Sequence, residues 1–283
     1  MGFPGKIQML EVGPRDGLQN EAGTVSTKTK IELIDRLGAA GMTVIEAGSF
    51  VSPKRVPQMA DSAEVLAGIS RLDGVRYTAL TPNMQGFEAA MAAGVNEVAV
   101  FAAATEAFSQ KNLNCTINES LERFRPVCKA AQAAGVPARG YISCVLGCPY
   151  EGDVDAGDVA TIAAALVEMG CYEISLGDTI GVGTPQQTDK LLTNVLEDVD
   201  TGMVAMHFHD TRHHALDNIK TSIQMGLHSF DSSVGGLGGC PYADGATGNV
   251  STQVVVTMLN NMGHETGIDI DKLNAALEKL TII

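Results

Sequence analysis

Apolar runs of strand character alternate with segments of helical period eight times along the chain. The runs fall at 7–12, 43–47, 75–80, 97–101, 138–143, 172–176, 204–209 and 229–233. Between them, Ile31, Ile34 and Leu37 mark one apolar face over 28–40, and similar periods run over 121–134, 159–169 and 185–196. Pro185 sits in a helical first turn, where the N–H that proline lacks has no intrahelical partner anyway. A glycine follows the helical pattern at Gly41, Gly94, Gly135, Gly170 and Gly226, each just before a strand. Glycine accepts the left-handed conformation that stops a helix. Repeated strand–helix units with such stops predict a parallel sheet covered by helices. Eight units in 283 residues predict an α/β fold, a (β/α)8 TIM barrel forming a single catalytic domain over 1–283, with 268–280 as an additional C-terminal helix. A doubly wound open sheet is the alternative. It is disfavoured because the first strand is followed by Gly13-Pro-Arg-Asp-Gly17 and not by G-x-G-x-x-G.

The seventh run ends in His207-Phe-His209. A period of two puts both imidazoles on one face of a strand and Phe208 on the other. The pair is either two ordinary core histidines or half of a divalent-metal site at the strand's carboxyl end. Asp210-Thr211 reads as the N-cap of a helix running to about Gly226. In a barrel the chemistry gathers at the carboxyl-terminal ends of the strands. Unusual polar residues fall there: Arg15-Asp16 after strand one, Glu46 and Ser49 on strand two, Thr81 and Asn83 after strand three. Arg139, Tyr141 and Ser143 follow on strand five, and Glu173, Ser175 and Asp178 on strand six. One Asp after one strand is more often a helix cap, so the weight lies in their arriving together. After strand eight comes a glycine-rich stretch at about 235–249, which suits a mobile lid or a close backbone approach to a ligand. Cys240 lies within it, where a reactive or proton-transferring thiol fits better than core packing. Asn249 either caps the next helix or lends its amide oxygen to a metal. Asp16, His207, His209 and Asn249 form a mixed oxygen and nitrogen set that suits Mg²⁺ or Mn²⁺ over structural zinc.

Composition narrows the partners. With 45% hydrophobic and 18% charged residues, the chain can bury a large core. No apolar run reaches the roughly 18 residues of a membrane span, and the N-terminal residues lack the apolar region of an export signal. Six cysteines without a C-x-x-C pair make reduced thiols in a cytoplasmic setting the default. A net charge of −14 argues against nucleic acid and anionic membrane as partners. It still allows a small anionic substrate, because local arginines and a metal ion reverse the field inside a cleft.

Six motifs together carry a resemblance over nearly the whole chain. They are Glu11-Val-Gly-Pro-Arg-Asp-Gly-Leu-Gln-Asn-Glu21, Ser49-Phe-Val-Ser-Pro-Lys54, Gly147-Cys-Pro-Tyr-Glu-Gly152, Ser175-Leu-Gly-Asp-Thr-Ile-Gly-Val-Gly-Thr184, His207-Phe-His-Asp-Thr211 and Gly238-Gly-Cys-Pro-Tyr-Ala243. With these the sequence resembles the 3-hydroxy-3-methylglutaryl-CoA lyase family of metal-dependent barrels. The resemblance implies cleavage of that acyl-CoA into acetyl-CoA and acetoacetate, and it implies a homodimer. It implies that Asp16, His207, His209 and Asn249 hold the metal and that Arg15 contacts the substrate and steadies an enolate. It implies that Cys240 is the active-site cysteine, that Glu46 and Asp178 are acidic residues needed for activity or for shaping the site, and that Arg139 is a basic residue of the pocket. His207 joins Arg15, Asp16, Glu46, Asp178 and Cys240 as a catalytic candidate, with general base and general acid left open. The sequence departs from the family after the His-Asp-Thr, where Arg212-His-His-Ala215 replaces an aromatic residue and Gly-Gln-Ala. That puts acyl specificity in question. The alternatives are a lyase for a related 3-hydroxyacyl-CoA and a condensing enzyme of the isopropylmalate or homocitrate synthase type. The Gly-Gly-Cys-Pro-Tyr loop and the lack of a long C-terminal extension favour the lyase. Lys54-Arg55, on the loop after strand two, is either an ordinary solvated pair or a contact for coenzyme phosphates.

Overall fold

A computed structural model describes residues 6–19, 21, 23–239 and 248–278. Eight strands close into one parallel barrel in chain order. They are β1 (Gln8–Glu11), β2 (Val44–Ser49), β3 (Arg76–Leu80), β4 (Glu97–Ala103), β5 (Ala138–Ser143), β6 (Cys171–Asp178), β7 (Val204–Phe208) and β8 (Ser229–Ser232). Pairing of Gln8 with Ser229 through to Glu11 with Ser232 completes the ring. The helices are α1 (Thr27–Ala39), α2 (Ser62–Gly68), α3 (Met84–Ala92), α4 (Glu106–Leu113), α5 (Ile117–Ala133), α6 (Ala156–Glu168), α7 (Pro185–Val195), α8 (Ala215–Gln224), α9 (Thr252–Asn261) and α10 (Ile270–Glu278). Closure as a (β/α)8 barrel and the extra C-terminal helix agree with the hydrophobic pattern.

Local chemistry sets the element ends. Thr116 and Glu119 form a reciprocal capping box at α5, and Thr184 with Gln187 does the same at α7. The five glycines expected to stop helices all have positive φ. The start of α8 differs from expectation. Asp210-Thr211 does not begin it, because residues 211–213 form a turn in which His213 takes φ 58° and Arg212 N–H donates to Gly181 O at 3.1 Å. The helix begins at Ala215, and Asp210 caps it from a distance by accepting Ala215 N–H at 3.1 Å.

Strand alternation separates two interiors. Outward residues such as Ile45, Val98, Ile142, Ile174, Met206 and Phe230 pack with the helices in one continuous core. Inside the barrel, small apolar clusters (Leu10, Val12 and Val44; Leu80, Ala99 and Tyr141) share the space with Glu46, Glu97, Arg139, Glu173, Ser175, His207 and Asp231, all buried. Charges taken out of water at this density are stable only when paired. The pairing reaches up to the carboxyl-terminal mouth. At the other side, α10 seats Leu273 and Ala276 in the core, while Asp269 N–H bonds Ala40 O at 2.8 Å.

Candidate active site

The segment after β1 forms one π turn, Gly13–Gly17, which turns Arg15 and Asp16 over the barrel mouth. Arg15 is clamped there. Its Nε donates to Glu46 Oε2 at 2.5 Å, and its Nη1 donates to Asp16 Oδ1 at 2.5 Å. Burial alone would lower the guanidinium, but Glu46 and Asp16 outweigh it and hold the proton on. Burial likewise pushes Glu46 up against the pull of Arg15. For Asp16, the positive charge of Arg15 together with the two imidazoles overcomes burial and keeps the carboxylate ionised well below its usual range.

His207 and His209 converge on Asp16 as the period-two spacing requires. Their Nε2 atoms lie 3.9 and 4.0 Å from Asp16 Oδ2, and the ring centroids are 5.3 Å apart. Burial and the charge of His207 lower His209 to about 4, so it presents a neutral ring. His207 is held up by Asp231 in spite of burial. Asn249 is brought alongside by backbone pairing. Asp210 N–H bonds Gly248 O and Val250 N–H bonds Phe208 O, which lays 248–250 against the end of β7. Its Nδ2 donates to Asp16 Oδ2 at 2.9 Å and to Leu237 O at 3.1 Å. Among the described residues its Oδ1 is buried without a hydrogen-bond partner. A buried acceptor left unmade is costly unless something else fills it. One carboxylate, two imidazoles within ligand reach of a common point and a free amide oxygen fit a divalent cation.

The cavity over this cluster measures about 890 Å³. Arg15, Asp16, His207 and His209 form its deep wall, Leu80, Phe101 and Tyr141 an apolar wall, and Arg55, Lys111 and Arg123 add positive charge. Arg55 lines it, whereas the exposed Lys54 does not. Glu46, Asp178 and Arg139 are absent from the wall. Asp178 accepts Val182 N–H at 3.2 Å and Gly183 N–H at 2.8 Å, which folds the loop after β6. Burial pushes its carboxyl up. Arg139 lies wholly buried beneath the cavity. Residues 212–214 also lie outside the wall. Cys240 and most of the glycine-rich stretch lie outside the described residues.

Two carboxylates of the site were not singled out from sequence. Asp231 on β8 sits beside His207, and Glu11 on β1 accepts Gly13 N–H at 2.7 Å, Val234 N–H at 2.8 Å and the Thr252 hydroxyl at 2.7 Å. Each was visible as an acidic residue inside a strand, in Leu10-Glu11 and in Phe230-Asp231.

A parallel barrel with a guanidinium, a carboxylate and two imidazoles at its carboxyl-terminal mouth is built as a metal-assisted enzyme of anionic substrates. The sequence model of the HMGL-like family matches residues 6–280, and the chain belongs to that family. It is 57% identical over 283 residues to the 3-hydroxy-3-isohexenylglutaryl-CoA/hydroxy-methylglutaryl-CoA lyase of Pseudomonas aeruginosa, covering 100% of this chain and 94% of that one. It is 57% identical over 271 residues to the mitochondrial hydroxymethylglutaryl-CoA lyase of Gallus gallus, covering 96% and 91%. The crystal structure of hydroxymethylglutaryl-CoA lyase from Pseudomonas aeruginosa superposes with a TM-score of 0.96 at 58% identity, covering 99% and 93%.

Proposed function

We propose that the protein cleaves 3-hydroxy-3-methylglutaryl-CoA into acetyl-CoA and acetoacetate with Mg²⁺ or Mn²⁺ held by Asp16, His207, His209 and Asn249. The observation that carries this is the meeting of Asp16 with two imidazoles and a partnerless amide oxygen beside a clamped arginine. When bound, a divalent cation supplies Lewis acidity that lowers the cost of an alkoxide at the substrate's tertiary hydroxyl. The remaining work belongs to the chain. A general base of the site takes the hydroxyl proton, the C2–C3 bond breaks, and its electron pair passes into the thioester as an enolate. Arg15 offers fixed positive charge where that enolate oxygen develops, and Glu46 and Asp16 aim it. A proton then returns to the carbon, a step we assign to Cys240. Asp178 shapes the loop that borders His209. Burial of the substrate's reacting end below the mouth strengthens each of these electrostatic contacts.

Coenzyme phosphates fit the positive rim. Arg55, Lys111 and Arg123 line it, and Lys54 adds charge from the neighbouring surface. A second reading, with a longer apolar substituent at C3, is supported by the name of the Pseudomonas relative and by the apolar wall of Leu80, Phe101 and Tyr141. We treat the chain as one catalytic unit that works as a homodimer in the cytoplasm. Buried thiols at Cys115, Cys128, Cys148 and Cys171, with no disulfide between them, suit a reducing compartment. The test is incubation of the purified protein with 3-hydroxy-3-methylglutaryl-CoA and Mg²⁺. Equimolar acetyl-CoA and acetoacetate, abolished by a chelator, support the proposal. Absence of both products refutes it.

A further inference from the structure

Beneath the cavity lies a buried group of side chains, Asp231, Arg139, Ser175 and Glu173, that do not line it. Its centre is Asp231. In register, His207 on β7 pairs with Asp231 on β8, so both side chains enter the barrel at one level. Arg139, from β5 across the barrel, holds Asp231 in a two-pronged contact. Nη1 donates to Oδ2 at 3.1 Å, and Nη2 donates to Oδ1 at 2.8 Å. The Ser175 hydroxyl donates to Oδ2 at 2.6 Å. His207 Nδ1 lies 3.4 Å from the same oxygen, a charge contact longer than a well-aligned hydrogen bond.

Arg139 does not line the cavity, and three of its five N–H groups go to Glu173 and Asp231. Its Nε donates to Glu173 Oε2 at 2.6 Å, its guanidinium lies 4.9 Å from the centre of the Tyr141 ring, and the residue is fully buried. Its geometric effect is on Asp231. A carboxylate gripped bidentately by arginine stays ionised and can only accept. His207 Nδ1 is buried without a hydrogen-bond partner among the described residues and is the ring nitrogen facing this acceptor, so the proton of a neutral His207 belongs on Nδ1. The Nε2 lone pair is then turned toward Asp16 Oδ2.

We propose that Asp231, held by Arg139 and Ser175, is a positioning residue that fixes the ring and tautomer of His207 for the divalent cation, and that Arg139 acts through Asp231 and not on the substrate. This rests on the metal reading of the site. Partners of this kind behind a metal-ligating histidine typically change metal affinity by about 10–100-fold.

The experiment measures Mn²⁺ affinity of the intact protein by electron paramagnetic resonance for wild type, Asp231→Asn and Ser175→Ala. It also reads the imidazole ¹⁵N shifts of His207 in the metal-free protein at alkaline pH, where the ring is neutral. The expected results are an Nδ1–H tautomer in wild type, a shift toward Nε2–H in Asp231→Asn, and Mn²⁺ binding weakened about 10–100-fold in that variant. Ser175→Ala removes one hydrogen bond and should weaken binding in the same direction by a smaller factor. If Asp231→Asn does not fold, Ser175→Ala and the wild-type tautomer decide the matter. An Nε2–H tautomer in wild type, or unchanged Mn²⁺ affinity in a folded Asp231→Asn or in Ser175→Ala, overturns the proposal. A wild type that binds no Mn²⁺ overturns instead the metal reading beneath it.

Discussion

Replacing Glu46 by glutamine removes one charge from beside Arg15 and almost no volume. The contact it alters is the 2.5 Å bond from Arg15 Nε to Glu46 Oε2, between side chains 8% and 0% exposed. A hydrogen bond to a charged group contributes about 1.5–3 kcal/mol, and stripping a buried ion of its partner costs about 3–5 kcal/mol. Glutamine keeps an acceptor, and Asp16 still neutralises Arg15 from the other side at 2.5 Å. The lower range therefore applies, a loss of about 2–3 kcal/mol. Across 283 residues the unfolding entropy is about 0.6 kcal/mol/K, so the Tm should fall by about 3–5 °C. Catalysis should suffer more. Deleting a donor aimed at a developing oxyanion costs about 10²–10³-fold. A guanidinium left in place but less firmly aimed should lower kcat by about 10–100-fold. Circular dichroism melting and steady-state acetoacetate release at saturating metal give both numbers. An unchanged Tm with wild-type kcat would show that Glu46 neither holds nor aims Arg15.

Removing an imidazole, His209→Ala, should abolish Mn²⁺ binding and turnover while leaving the far-ultraviolet circular dichroism spectrum intact. Full activity in that variant would sink the ligand assignment. Cys240→Ser should lower kcat by about 10²–10⁴-fold with little change in Tm, and a large thermal loss with normal kcat would make the thiol a packing group. Lys54→Ala with Arg55→Ala should raise KM at low salt and spare kcat, with the effect fading as salt is added, whereas an unchanged KM would move the phosphate contact to Lys111 and Arg123. Burial pushes the Glu11 and Glu97 carboxyls from 4.5 up to about 7. Between those values the folded chain keeps protons that the unfolded chain has lost, so their contribution to stability falls as pH rises through that window. Urea unfolding across it should show the decline, and Glu11→Gln should flatten it. An identical pH slope in the variant would rule out Glu11 as a source.

The barrel was legible because its signals are local and repeated. Strand runs, helical faces and glycine stops such as Gly41 and Gly226 each follow from backbone sterics at one position. His207 and His209 were legible for the same reason, since a period of two needs no tertiary information. Asp16 and Asn249 are 233 residues apart and meet through β1–β8 closure and the 248–250 pairing. Their meeting followed from barrel topology and from resemblance, not from spacing. Arg139 marks the limit. A basic residue in a strand that carries Tyr141 and Ser143 toward its carboxyl end reads as pocket lining, but Arg139 is the second residue of β5, and whether it faces the cavity or a buried carboxylate depends on Asp231 and Glu173 on other strands. Asp231 and Glu11 were passed over because a lone acidic residue in an apolar run carries no periodic signal. The start of α8 was misplaced because an Asp that caps five residues ahead looks the same in sequence as one that caps at once.

The central claim is that one divalent cation sits among Asp16, His207, His209 and Asn249. The direct measurement is anomalous diffraction at the manganese edge from crystals grown with Mn²⁺. A single strong peak within bonding distance of the Asp16 carboxylate, both imidazole Nε2 atoms and Asn249 Oδ1 is the predicted result. An empty cluster, or a peak held by other side chains, would contradict it.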